Sequence, residues 1–260
     1  MGLGRLRQWG ALLAVAVACF GLVACASKDK TDTKIDLTNS LLQAAATARA
    51  QNDWLSAANY YRSALTQKPD DRDASIGLLQ ALRMIGGLDE AGVVADKAVA
   101  TRPDDAMVLA EAGKDKLAAG KLADAVDLLK RAAAVDSKDW RARSALGLAY
   151  ARLGDFDGAD GAFKAALAIS PDNASVLNNY GMSRAMANDL EGARTILFHA
   201  VMLPNADVRV RQNLALVYAL SGDLTKAEQL TRQDLPPALA NATLDYYRQL
   251  AAATPAPARQ

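Results

Sequence analysis

Apolar and polar positions divide this 260-residue chain into three stretches. From Trp9 to Ala24 nearly every side chain is apolar (WGALLAVAVACFGLVA), and Arg5 and Arg7 are the only charges before it. Residues 27–36, SKDKTDTKID, are polar and charged. Beyond them apolar residues interleave with polar ones, and few β-branched runs alternate with period two, so strands are not expected. A chain this long and this rich in Ala, Leu, Asp and Lys is expected to be mostly helix.

The first stretch has the form of an export signal, a positive n-region followed by an apolar h-region of about 15 residues. It is short for a membrane-crossing helix, which needs about 20 residues. Both cysteines of the chain, Cys19 and Cys25, lie here. Leu22-Val23-Ala24-Cys25 closes the apolar run and resembles a lipobox, the tetrapeptide read by the bacterial lipoprotein pathway. The resemblance implies that residues 1–24 are a signal peptide, cleaved before Cys25, and that the Cys25 thiol carries lipid. Buried acyl groups contribute about 0.8 kcal/mol per CH₂, so two or three chains anchor durably where one does not. Cys19 would leave with the signal, and the mature chain would carry no free thiol, which suits an oxidising periplasm. The alternative is an uncleaved helical anchor with an incidental Cys25. Ala26, rather than Asp, follows the cysteine. By the same resemblance, this allows transfer to the periplasmic face of the outer membrane. Residues 25–37 then form the lipidated cysteine and a polar tether.

Charge narrows the partners. The chain has 30 Lys and Arg against 29 Asp and Glu; without Arg5 and Arg7 the balance is 28 against 29, a net of −1. That is no electrostatic footprint for nucleic acid.

Internal periodicity sets the architecture. Ala57, Ala91, Ala125, Ala159, Ala193 and Ala227 recur every 34 residues. Pro69-Asp70-Asp71, Pro103-Asp104-Asp105 and Pro171-Asp172-Asn173 keep the same phase, with Ser137-Lys138-Asp139 between them. Gly86, Gly120, Gly154 and Gly222 do so too, and Asn188 stands where a fifth glycine would fall. Asn is the best substitute for Gly where φ must be positive. The unit resembles the tetratricopeptide repeat, a helix–turn–helix of 34 residues. Its clearest copy holds Leu146, Gly147, Tyr150, Ala159, Phe163, Ala166 and Pro171. Arg143 stands where that family usually has tryptophan, with Trp140 three residues before it.

The resemblance implies an all-α chain, a right-handed superhelical solenoid of about six helix pairs with a C-terminal capping helix. Six copies are expected over residues 38–235, starting near 38, 72, 106, 140, 174 and 208. The sixth is expected to decay after Ala227, where Thr231 and Asp234 replace core residues. Pro236 and Pro237 interrupt the chain, residues 236–253 follow as a solvating terminal helix, and residues 254–260 are a loose tail.

Catalytic chemistry finds little support. His199 is the only histidine, and no HExxH, P-loop or GxGxxG is present. The carboxylates are expected in turns and on outer faces. No enzyme, cofactor, metal or small-molecule substrate is expected.

A stack of this kind is expected to bind protein along the groove lined by its first helices. Asn179 and Asn213 occupy the same place in neighbouring copies, and an inward amide both donates and accepts. They either pair with an extended peptide backbone or tie adjacent helices together. Arg141, Arg209, Leu148, Met182 and Leu216 complete the candidate groove, a mixture suited to an apolar segment with a carboxylate. Met186 and Leu220 share this surface.

The C-terminal stretch carries a second resemblance. VRQNLALV at residues 210–217, DLPP at 234–237 and YYRQL at 246–250 together look like the TadD family of tight-adherence (Tad or Flp) pilus assembly lipoproteins. That resemblance implies an outer-membrane lipoprotein acting as a scaffold or pilotin-like factor. Its partner would be the Tad secretin or another pilus-assembly component. The runner-up is a general cell-envelope scaffold, for example in β-barrel protein assembly.

Overall fold

A computed structural model describes residues 37–253, and Cys25 with the whole predicted leader and tail lies outside them. Among the described residues there are thirteen helices and no strand. The all-α class follows directly. Helix α1 covers residues 37–50. Then come α2 (Trp54–Gln67), α3 (Arg72–Ile85), α4 (Leu88–Thr101), α5 (Ala106–Ala118), α6 (Leu122–Val135) and α7 (Trp140–Leu153). They are followed by α8 (Phe156–Ile169), α9 (Ala174–Met186), α10 (Leu190–Val201), α11 (Val208–Leu220), α12 (Leu224–Asp234) and α13 (Pro237–Ala253). The described residues fall into two compact units that part within α4, after Val94.

Local chemistry starts and stops these helices. Asp71, Asp105, Asp139, Asn173 and Asp207 are N-caps of α3, α5, α7, α9 and α11, each accepting from backbone N–H groups of the first turn. A cap of this kind is worth about 1 kcal/mol. The Pro-Asp-Asp recurrence is therefore a capping signal. Between α7 and α8 the chain turns through Gly154 at φ +81°, and between α9 and α10 through Asn188 at φ +60°. An Asn tolerates that left-handed backbone where most side chains do not.

In the first unit α2 packs on α3, and the buried ring of Tyr61 lies over Gly77, where any side chain would collide with it. Arg62 joins α2 to α4 by donating to both carboxylate oxygens of Glu90, at 2.8 and 2.9 Å.

In the second unit consecutive helices pair as α5 with α6, α7 with α8, α9 with α10 and α11 with α12. Helices α7, α9 and α11 also touch in sequence, so the first helices of three copies make one face. Phe163 of α8 is fully buried and fills the space beside Gly147 of α7. It stacks on Tyr180 of α9 with ring centroids 5.5 Å apart, joining one pair to the next.

In the sixth pair α12 still packs on α11, with polar residues at the places where core residues were expected to be replaced. Thr231 is fully buried, and its hydroxyl donates to the Ala227 carbonyl at 2.8 Å. Asp234 receives Arg211 of α11 at both carboxylate oxygens. Polar residues here keep the helix packed because each finds a partner on the spot. Helix α13 buries Ala240, Leu244 and Tyr247, contacts α11 and α12, and exposes Asn241, Asp245, Arg248 and Gln249.

Candidate functional site

The candidate groove residues all fall on α7, α9 and α11, of which α9 touches each of the other two. Arg141 is exposed, with its guanidinium carbon 4.5 Å from the centroid of the Trp140 ring. Arg209 is exposed and donates to Asp207 at 3.3 Å. Leu148, Met182 and Leu216 are half-buried: Leu148 packs against the cores around Leu146 and Phe163, and Met182 and Leu216 pack on the core around Leu214. Each therefore spends part of its apolar surface inside the protein and offers the remainder.

The asparagines are linked by a residue that the repeat phase did not single out. Asn213 Nδ2 donates to Asn178 Oδ1 at 2.7 Å, and Asn178 Nδ2 reaches Asn179 Oδ1 at 3.5 Å. Asn178 is buried at 5% exposure, while Asn179 and Asn213 are half-buried. The three amides form a chain across α9 and α11. This is the helix-tying alternative for Asn213, and it leaves the Asn179 amide nitrogen outside both bonds. The signal was present in the adjacent pair Asn178-Asn179, but 34-residue matching selects Asn179 and passes over its neighbour.

Behind this face lies a charged network. Asp160 of α8 accepts from the Tyr180 hydroxyl, from Lys164 at 2.7 Å and from Arg184 at 3.3 Å. Arg184 also donates to Asp189 through Nε at 2.7 Å. Burial, and then the Asp160 bond, push the Tyr180 phenol up to about 12. Burial pushes Asp160 upward, but the bonds from Lys164 and Tyr180 outweigh it and hold the carboxylate below its ordinary value. Tyr180 therefore stays a neutral donor and Asp160 an ionised acceptor across the physiological range. The network ties α8 to α9 and α9 to the cap of α10. Arg152 adds a second tie that the sequence did not disclose, donating to the Leu117 carbonyl at 2.8 Å at the C-terminal end of α5.

The C-terminal signature is also held together. Arg211 and Gln212 come from RQNLALV, Asp234 from DLPP and Tyr247 from YYRQL. Arg211 Nη2 and Nε reach the Asp234 carboxylate at 2.7 and 2.9 Å, and the Tyr247 hydroxyl donates to the Gln212 carbonyl at 3.2 Å. Three separate motifs thus make one clasp across α11, α12 and α13. Arg211's hydrogen bonds hold Asp234 below the usual carboxylate range.

His199 is exposed in the last turn of α10, with Nε2 3.6 Å from Asp172. Among the described residues, no group of three or more His, Cys, Asp or Glu could hold a metal ion, and no helix is long and apolar enough to cross a membrane.

Known structures share this arrangement. PilW, a widely conserved type IV pilus biogenesis factor, superposes with a TM-score of 0.68 at 18% identity, over 83% of this chain and 97% of its own. PilF of Pseudomonas aeruginosa gives 0.63 at 17% identity, over 83% of this chain and 99% of that one. A thermophilic tetratricopeptide-repeat protein of Thermus thermophilus gives 0.62 at 21% identity, over 69% and 98%. Identities this low speak to the fold alone. No curated protein matches the sequence. One family model described as tetratricopeptide repeat matches residues 111–174 and 145–206, and another of the same description matches residues 48–110. These matches run without a gap from residue 48 to 206, more than half of the chain and across its stacked helix pairs, and the chain belongs to the tetratricopeptide-repeat family.

Proposed function

We propose that this protein is a lipid-anchored periplasmic scaffold at the outer membrane that acts, like a pilotin, in assembly of a Tad or Flp pilus secretion system. The observation that carries the proposal is the order of parts: a lipobox ending in Cys25, a polar tether, then a tetratricopeptide-repeat array ending in RQNLALV, DLPP and YYRQL. The likeness to PilW, itself a pilus biogenesis factor, supports it at the level of architecture. In this reading the lipid holds Cys25 in the membrane and the array captures an exposed segment of the secretin or of another assembly component. Anchoring both on one membrane raises their effective concentration without new contacts.

A second reading keeps a specific observation. Arg211, Asp234 and Tyr247 of the C-terminal signature serve the chain's own packing, so the signature need not contact a pilus component. A general cell-envelope scaffold, for example in β-barrel protein assembly, would use the same clasp.

The deciding experiment deletes the gene and follows heat-resistant secretin multimers in separated inner and outer membranes, with wild type or Cys25→Ser restored. Multimers that fail or stay in the inner membrane, and are rescued only by the wild type, are the expected result. Normal secretin with missing pili would move the role to a later step. Normal secretin and normal pili would sink the pilus assignment and leave the envelope-scaffold reading.

A further inference from the structure

A repeat array needs a last helix that turns a polar face to water. Helix α13 instead leaves Leu239 at 54% and Tyr246 at 56% exposure. With the half-buried Thr243 and Leu250 they form a line spaced by four, three and four residues. At 3.6 residues per turn, that spacing keeps the four within an arc of about 60°. The buried Ala240, Leu244 and Tyr247 lie about 100° away around the helix. Helix α13 contacts α11 and α12, and the Tyr247 hydroxyl donates to the Gln212 carbonyl of α11. The exposed line is therefore a second apolar face, separate from the one the chain packs on itself.

The place of α13 in the stack accounts for that face. Helix α11 packs on α9 and α10, and α13 packs on α11 and α12 in the same way. It stands as a further first helix. Helices α5, α7, α9 and α11 are each covered by the helix that follows, and among the described residues none follows α13.

Charge and spacing indicate the occupant. The exposed Ala238, Ala242 and Gln249 flank the line, so neither it nor this flank carries charge. Asp245 and Arg248 lie around the far side, where Arg248 donates to Asp245 at 2.6 Å, and Asn241 there accepts from Arg232 at 3.0 Å. Two-fold association requires a patch that complements itself. The four-three-four spacing is the same in both directions along the helix. A second α13 laid antiparallel sets Leu239 against Leu250 of the second copy, and Thr243 against Tyr246 of the second copy. With no charge on the line, two copies meet without like-charge repulsion.

We propose that α13 is a self-association surface, through which two copies of this chain pair antiparallel along Leu239, Thr243, Tyr246 and Leu250. The inference goes beyond the pilus reading and does not depend on it.

The test is sedimentation equilibrium of the full-length protein in density-matched detergent. The wild type should show a reversible monomer–dimer equilibrium. Leu239→Lys with Tyr246→Lys should raise its dissociation constant at least about tenfold; both residues are exposed, and circular dichroism verifies the fold. In the antiparallel pair the two copies of residue 243 stand about 4.5 Å apart along the axis. A short bis-maleimide should therefore link Thr243→Cys into a dimer and leave Asp245→Cys, on the far side, unlinked. A wild type that stays monomeric, a dimer that survives the double substitution, or equal linking at 243 and 245 would overturn the proposal. So would a different envelope protein retained by the wild type and lost by the double variant while the wild type stays monomeric, which would give this face to that partner.

Discussion

Asp234→Ala is expected to release the end of the array while leaving its middle intact. The Asp234 carboxylate is 8% exposed and takes Arg211 at two oxygens, and the Arg211 side chain is 28% exposed. Breaking a fully buried ion pair costs about 3–5 kcal/mol, whereas an exposed pair is worth about 0–1. This pair lies between those limits, because the carboxylate is enclosed while Arg211 still reaches water. A cost of about 2 kcal/mol follows, or roughly 25-fold in the local opening equilibrium. In a repeat array each unit contacts only its neighbours, so the loss should stay local. Native-state hydrogen exchange should show amides in α12 and α13 exchanging faster and those in α5 and α6 unchanged. The pH dependence has a defined sign. Arg211 depresses the Asp234 pKa in the folded protein, so the stabilisation is complete above the unfolded value of about 3.9 and is lost as pH falls through the folded value. The gap between wild type and variant should therefore be full at pH 7 and close under strongly acidic conditions. Unchanged exchange in α12 and α13, or an equal loss in α5 and α6, would refute the clasp.

Other perturbations probe the packing behind the groove. A Cβ on Gly147 would stand 2.9 Å from the fully buried, stacked ring of Phe163, so Gly147→Val should cost about 1–3 kcal/mol and lower the urea midpoint; an unmoved midpoint would show that the ring yields freely. Asn178→Ala removes the acceptor for Asn213, and about 1 kcal/mol of stability should go with it. If thermal unfolding shows no loss, the amide chain does not brace α9 against α11. An alkaline absorbance titration should show a tyrosine ionising at about pH 12, absent in Tyr180→Phe. Persistence of that step in the variant would assign it to another ring.

Repeat class and local punctuation were legible along the chain alone. A period of 34 in Ala, Pro-Asp and Gly needs no knowledge of contacts, because capping and positive-φ turns act within a few residues of chain. Asn188 could be read as a glycine substitute for that reason, and the turn it makes has the same hand as that at Gly154. Which polar residues pair became visible only once the helices were packed. Asp234 looked like the decay of the sixth copy until Arg211, 23 residues earlier, closed on it. The periodic match between Asn179 and Asn213 likewise concealed Asn178, the buried member that joins them. Periodicity specifies which face a residue shares but not which neighbour's side chain reaches it. A bond between side chains on different helices depends on their spacing and rotamers, and those are settled only by the packing itself.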